Sequence, residues 1–248
     1  VHSITNLPVD VSVDFECIVN VVLQKNSSRN HSATHLLHET LRTILGSHVE
    51  QKGSLVRPDN LRFDFSHFEK IEPGVLASIE ESVNEKILSN ISLDERRSIP
   101  LSEAKDAGAL MLFGEKYGES VRMIGYGSSK ELCGGIHVCA TGEIGPFRIT
   151  TETSVASGIR RIEAVTGTAA IDTANNDRQA LDLIKLSFKG SKDVVKSVTN
   201  LQDNVVALTK EIESLRRKEA RNIKGGLVKS IREINGINFL AVELSLDS

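Results

Sequence analysis

Two pairs of side chains in this sequence have the types and spacing of metal ligands, His31-x-x-x-His35 and Cys133-x-x-x-His137. Residues four apart share one face of a helix, so the imidazoles of His31 and His35 can converge on one ion. Cys133 and His137 bracket Gly134-Gly135, where a backbone without Cβ atoms folds tightly enough to aim both side chains inward. Three imidazoles and one thiolate suit Zn2+, a borderline-soft ion that takes N and S donors tetrahedrally. Either pair alone is weak evidence; both in one chain, each in a suitable local setting, point to a metal site. His38, one turn beyond His35, is read as a supporting neighbour or a surface residue, and Cys139 lacks the glycine turn that presents Cys133. Metalloproteases of the His-Glu-x-x-His kind carry a general-base glutamate directly after the first histidine. Ser32 stands there instead, which excludes that chemistry.

The elements that must position these residues are legible from periodicity. Val9, Val11, Val13, Phe15, Cys17, Val19, Val21 and Leu23 alternate with Asp10, Ser12, Asp14 and Glu16, which predicts a strand with one buried face and Cys17 in its core row. Asn30 then suits the N-cap of a helix carrying Leu36, Leu37, Leu41, Ile44 and Leu45 up to Gly46. Leu61–Phe65 alternates again as a strand, and Pro73 suits the first turn of a helix to about Leu88, with Val75, Leu76, Ile79, Val83 and Ile87 inward. Short segments follow at Val121–Ile124 and the glycine-rich Leu132–His137; Phe147–Thr151 and Gly158–Val165 read as further strands, and Gly142-Glu143-Ile144-Gly145-Pro146 as a turn. Strands and helices without a regular β-helix-β rhythm predict an α+β fold of mixed sheets and helices around the zinc site.

After Gly167 the character changes. Ala169–Phe188 is compatible with helix, Lys189-Gly190-Ser191 with a turn, and Val194, Val198, Leu201, Val205, Leu208, Ile212 and Leu215 form an a/d seam. This predicts a helical hairpin or coiled-coil appendage, whose seam packs either within the chain or between two copies as a homodimer through the C-terminal region. Gly225-Gly226 is expected to break the helix, and Ile237–Leu244 to begin a strand of a further domain. The expected organisation is a β-rich, barrel-like lead-in over 1–28, a zinc-containing domain over 29–167, the helical segment over 168–224, and the start of another domain over 225–248.

Composition bounds the class of protein. The chain has 248 residues, 40% apolar and 25% charged, an ordinary globular balance. No stretch approaches the roughly 20 apolar residues of a membrane span. Val1 in place of Met, with no apolar run behind it, suggests no signal peptide and a piece of a longer protein. Three cysteines, Cys17, Cys133 and Cys139, argue against a disulfide framework and for a reducing, cytoplasmic setting. The net charge of −3 divides unevenly: Leu208–Arg232 holds eight Lys/Arg and three Asp/Glu, so the remainder is acidic. By itself this basic stretch reads equally as a solvated helix surface.

Longer stretches of wording are more specific. Arg29–His38 (RNHSATHLLH), Gln51–Val56 (QKGSLV), Leu61–Phe65 (LRFDF), Cys133–Val138 (CGGIHV), Thr141–Gly145 (TGEIG) and Ser157–Gly167 (SGIRRIEAVTG) resemble, in order, the editing domain of alanyl-tRNA synthetases. The resemblance covers about residues 29 to 167, and the heptad helix beyond fits the segment leading to that family's C-terminal domain. It implies hydrolysis of the ester linking serine or glycine to tRNA(Ala), within a parent protein that attaches alanine to tRNA(Ala) using ATP. A pocket shaped for alanine cannot strongly reject glycine and rejects an added hydroxyl by only ~100-fold in comparable cases, so a second site must remove the errors. The resemblance further implies that Thr34 and Gln51 line the pocket; Cys133 is assigned a part in the mechanism as well as in the metal site, as the ligand that could be displaced. Gly134 and Gly135 would lie against the substrate. Alternation sends Arg160 and Arg161 to opposite faces of their strand, and Arg160 is favoured for the 3′-terminal nucleotide because guanidinium suits phosphate; a salt bridge to Glu163 or Glu152 is the competing reading. Four protein ligands would close the site, whereas direct metal activation of water needs an open position. Either one ligand, Cys133, is loosely held or displaced, or zinc orients the aminoacyl group while another water attacks; the orienting role is the expectation.

Two other readings share these features. A free-standing trans-editing deacylase has the same metal signature but generally lacks a long heptad helix, and threonyl-tRNA synthetase editing domains match Ser157–Gly167 less well. A zinc-stabilised tRNA-binding module without activity would preserve the same ligands. No adenylate-forming motif is recognisable in the 248 residues.

Overall fold

The computed structural model describes residues 10, 12, 14, 18–111, 117–188 and 190–241. In chain order the elements are α1 (Val21–Leu45), β1 (Gln51–Val56), β2 (Leu61–Ser66), α2 (Pro73–Leu88), β3 (Asp94–Pro100), α3 (Leu101–Asp106), β4 (Ser120–Tyr126) and β5 (Ser129–Leu132). After a 3-10 turn at Thr141–Ile144 come β6 (Phe147–Ala156), β7 (Ile159–Thr166), α4 (Gly167–Ser187), α5 (Val194–Lys229), β8 (Arg232–Ile234) and β9 (Ile237–Phe239). The strands form a four-stranded sheet in the order β1-β2-β7-β6, a three-stranded sheet β3-β4-β5 and the hairpin β8-β9. Their pairings are antiparallel, and the architecture is α+β. No described helix is long and apolar enough to cross a membrane.

One core joins α1 and α2 to both larger sheets. Leu36, Leu37 and Leu41 of α1 and Ile79, Val83 and Ile87 of α2 are buried with Phe63, Phe65, Ile162 and Ala164 of the four-stranded sheet and with Ile124 and Tyr126 of the three-stranded one. The register explains the selection: Phe63 faces Ile162 and Leu61 faces Ala164 across β2 and β7, so these residues share one face of the sheet. β4 has two dry faces. Val121 and Met123 pack with Ala104 and Leu132 in a smaller cluster, while Ile124 and Tyr126 join the main core.

The first helix begins earlier than its sequence pattern suggests. Val21–Leu23 is helical rather than the end of a strand; the rest of the alternating row, including Cys17, lies outside the described residues apart from Val19. The N-cap is Asn20, whose side chain accepts from the N–H groups of Val22 and Leu23, both at 3.1 Å. That satisfies two of the donors every helix start leaves open, and the local preference of Val for strand yields to it. Asn30 is therefore an interior residue of α1, not its cap. Its amide donates to the carbonyl of Arg57 at 2.7 Å, and its carbonyl oxygen accepts from the hydroxyl of Thr166 at 2.7 Å. Gly46 ends the helix at φ 117°, and α2 spans the predicted Pro73–Leu88.

The chain divides into two compact units between Asn176 and Asp177, a point inside α4. In the second unit α5 runs through Gly225-Gly226 to Lys229, so the expected break does not occur. Glycine weakens a helix by about 1 kcal/mol relative to alanine but retains its N–H and carbonyl, and the end closes instead where Ser230 N–H bonds the carbonyls of Gly226 and Leu227. The seam residues Leu201, Val205, Leu208, Ile212 and Leu215 are all exposed. Of the terminal apolar stretch, Ile237–Phe239 is the second arm of a hairpin, and residues 242–244 lie outside the described residues. Asn235 and Gly236, at φ 54° and 80°, make the two-residue turn that matches strand twist.

Asn30→Ala should cost about 2–3 kcal/mol in urea unfolding, since it removes two hydrogen bonds of a buried side chain and strands the buried hydroxyl of Thr166. Asn20→Ala should cost about 1 kcal/mol or less, confined to hydrogen exchange in the first turn of α1. Equal effects would contradict this assignment of cap and interior.

Candidate metal centre

α1 carries His31 and His35 one turn apart, and β5 delivers Cys133 immediately after its last residue. His31, His35, Cys133 and His137 place one ligand atom each within 4.8 Å of one another. Sγ of Cys133 lies 3.4 Å from Nε2 of His31 and 3.3 Å from Nε2 of His137. Tetrahedral zinc with bonds of about 2.0–2.3 Å sets donors roughly 3.3–3.8 Å apart, so these contacts fit. The two glycines are not equivalent. A Cβ on Gly135 would stand 2.1 Å from Cε1 of His31, whereas one on Gly134 would meet nothing within 4 Å. Gly135 is required for His31 to reach the cluster; Gly134 has no such steric reason.

Neighbouring groups hold these four side chains. Ser32 is fully buried, and its Oγ lies 3.1 Å from Nδ1 of His137 and 3.1 Å from the hydroxyl of Tyr126, while it accepts from Val138 N–H at 3.1 Å. Tyr126 donates to the carbonyl of Val138 at 2.6 Å. One assignment satisfies every atom: His137 Nδ1–H donates to Ser32, Ser32 donates to Tyr126, and Nε2 of His137 keeps its lone pair beside Cys133. On the opposite side the Cys133–Gly135 loop is gripped by Arg122, which donates through Nη1 to the carbonyls of Cys133 at 2.9 Å and Gly135 at 2.6 Å. Arg122 is itself fixed by Glu95 at 2.7 Å. Glu131, two residues before Cys133, is buried and accepts from Nδ1 of His35 at 3.0 Å and Nδ1 of His38 at 2.7 Å.

Residues 121–163, which include the second half of this cluster, match the family described as the threonyl and alanyl tRNA synthetase second additional domain. Over the whole chain, identity is 52% to the alanine–tRNA ligase of Flavobacterium psychrophilum, 50% to that of Christiangramia forsetii and 47% to that of Cytophaga hutchinsonii. By sequence, the chain belongs to the alanine–tRNA ligase family. It spans 28% of the length of each of these relatives.

The charges around the cluster are set by contacts. Burial raises the thiol of Cys133, but hydrogen bonds from His137, His31 and His35 outweigh it and bring the pKa down to about 3. Burial pushes His137 down to about 4, assisted by the charges of His35 and His31. Burial would lower His35 too, yet the carboxylate of Glu131 and the sulfur of Cys133 raise it to about 10. Burial favours the neutral form of Glu131, and His35 and His38 reverse that, holding it well below the usual carboxylate range. A thiolate and a carboxylate thus stand ionised beside a protonated His35, a net negative setting in which a metal cation would take the place of the His35 Nε2 proton.

The remaining expected residues are placed as follows. Thr34 is buried on α1 and donates its hydroxyl to the carbonyl of Asn30 at 2.8 Å. Gln51 opens β1, half-buried, opposite Phe65. Arg160 pairs with Glu152, the competing reading for that residue, and Arg161 makes a bidentate bond to Asp64 at 2.6 and 2.8 Å on the other face. Sequence spacing overlooked Glu131 and Arg122. Glu131 had one local signal, its place two residues before Cys133 on a strand, which puts both on one side; nothing local marks Arg122. A cleft beside the centre is lined by Lys25, Arg97, Arg122, Gly135 and His137.

Gly135→Ala should displace His31 and lower zinc affinity at least about tenfold in a chelator competition, while Gly134→Ala should bind as the parent does. The reverse order would contradict the geometry.

Proposed function

We propose that this chain is the editing region of an alanine–tRNA ligase, hydrolysing the ester of tRNA(Ala) mischarged with serine or glycine at a zinc site made by His31, His35, Cys133 and His137. The convergence of those four donors, three imidazoles and a thiolate, carries the reading. Family membership and the match to the second additional domain support it. Bound zinc would supply Lewis acidity and an anchor for the aminoacyl group. The chain's own residues do the rest. The cleft with Lys25, Arg97 and Arg122 suits the anionic end of a tRNA. Gln51 and Thr34 supply an amide and a hydroxyl for the serine side chain and the ester, Thr34 accepting through the oxygen whose proton goes to Asn30. Contact of Arg160 with the 3′-terminal nucleotide requires phosphate to displace Glu152 from the guanidinium. Attachment of alanine with ATP belongs, in this proposal, to the longer ligase in which such a segment works.

The purified chain should contain about one zinc per molecule and deacylate Ser-tRNA(Ala), with loss of activity on chelation and recovery on zinc addition. Metal bound without deacylation would leave an inert tRNA-binding module. Cys133→Ala should lose both metal and activity; retention of zinc and the full rate would remove Cys133 from the mechanism.

The basic stretch between Leu208 and Arg232 lies on α5 and the first residue of β8 and is proposed to contact the tRNA body. Affinity for tRNA should fall steeply between low and moderate salt, and replacing Arg216, Arg217 and Lys218 with alanine should flatten the slope by up to about three counterions. A salt-independent affinity would refute that contact.

A further inference from the structure

Glu131 stands where neither pocket chemistry nor fold stability alone explains it. Strand alternation turns Glu131 and Cys133 to the same side of β5, while Leu132 between them joins the smaller core. Both face α1, where His35 and His38, three residues apart, share one side of the helix. Each of these imidazoles gives its Nδ1 to the Glu131 carboxylate, at 3.0 and 2.7 Å. His35 has two ring nitrogens, and with Nδ1 so engaged only Nε2 is left to face Cys133. His38 is arranged differently: its Nε2 is buried with no hydrogen-bond partner, and its ring rests on Phe63 at 5.1 Å. An orphaned buried nitrogen costs about 1–3 kcal/mol, so stability alone would favour an apolar residue at that position. What His38 supplies is a second N–H that fixes the carboxylate.

We propose that Glu131 is a positioning residue of the metal centre, locking His35 in the Nδ1–H form that presents Nε2 to the ion, with His38 holding Glu131 in place. The role rests on the reading of the four donors as a zinc site. Charge supports it. A divalent ion and the Cys133 thiolate leave one positive charge in a largely buried place, and an isolated buried charge is costly; the Glu131 carboxylate, one imidazole away, balances it. Carboxylates behind ligating histidines act in this way on ligand orientation and basicity, and their loss typically lowers metal affinity 10–100-fold.

The test compares the full chain with Glu131→Gln, Glu131→Asp and His38→Gln, using Zn2+ in chelator competition and Co2+ as a spectroscopic probe. Glu131→Gln should weaken zinc roughly 10–100-fold and alter the visible cobalt bands while retaining the thiolate-to-cobalt band of Cys133. Glu131→Asp should recover part of the affinity. His38→Gln should lose less, about 3–10-fold, and carries the test if Glu131→Gln does not fold. Parental affinity and spectrum in Glu131→Gln or in His38→Gln, even with lower thermal stability, would assign these residues to packing and overturn the role. Failure of the parent chain to bind either metal would overturn this role and the zinc site together. Metal binding without deacylation would overturn the editing reading while leaving the Glu131 result to stand on its own.

Discussion

The constraint on which the site depends is the burial of a polar helix. Between Asn30 and Leu41, α1 buries Asn30, Ser32, Thr34, His35, His38 and Thr40 alongside its leucines. A buried polar atom without a partner costs more than most hydrogen bonds return. Thr34 is satisfied within the helix by the carbonyl of Asn30, but the others each dictate something beyond it. Asn30 demands a carbonyl at Arg57 and a hydroxyl at Thr166. Thr40 receives Lys86 from α2 at 2.9 Å. Ser32 organises Tyr126 and Val138, and His35 and His38 draw in Glu131. Both larger sheets are thereby tied to one helix by polar contacts whose geometry is fixed, and the core around Leu36, Leu37, Phe63 and Ile162 excludes water from them.

From that follows the placement of the second ligand pair. The three-stranded sheet must turn one face to the main core through Ile124 and Tyr126 and the other to its own cluster through Val121 and Met123. Its register then sets Met123 opposite Leu132, which leaves Glu131 and Cys133 on the side of α1. The loop beyond has little freedom. Arg122 holds the carbonyls of Cys133 and Gly135, and the approach of His31 leaves no room for a side chain on Gly135.

How far this was legible in the sequence depended on whether the information was local. The pair His31 and His35, the helix after Pro73 and the strand Leu61–Phe65 follow from spacing alone. Cys133 and His137 were recognisable by type and separation, although the reason for Gly135 is a contact with a residue about a hundred positions away, which spacing cannot reveal. The start of α1 was missed because valine alternation mimics a strand, while the deciding event is one asparagine side chain capping two N–H groups. The run through Gly225-Gly226 was missed because propensity is a weak force against an already formed helix. The Asn235-Gly236 turn was a readable hairpin signal, overlooked in favour of the apolar run behind it. Glu131 and Arg122 act through tertiary contacts; the place of Glu131 two residues before Cys133 is its one local mark, and nothing local distinguishes Arg122 from an ordinary charged residue.

The two supported histidines also differ in a way that bears on chemistry. His137 leans on a hydroxyl network that is neutral throughout, Ser32 and Tyr126, whereas His35 leans on an ionised carboxylate. A hydrogen bond to a charged acceptor is stronger and makes the opposite nitrogen the better donor. The Cys133 and His35 side of the centre is therefore electron-rich, and the His137 side, which borders the cleft with Arg122 and Lys25, is less so. A ligand approaching through that cleft meets the weaker donor and the nearby cations first. Were a metal held here, His31, His35, Cys133 and His137 would be its donors, with Arg122 fixing the loop that carries the Cys133 thiolate and the cleft opening on the His137 side.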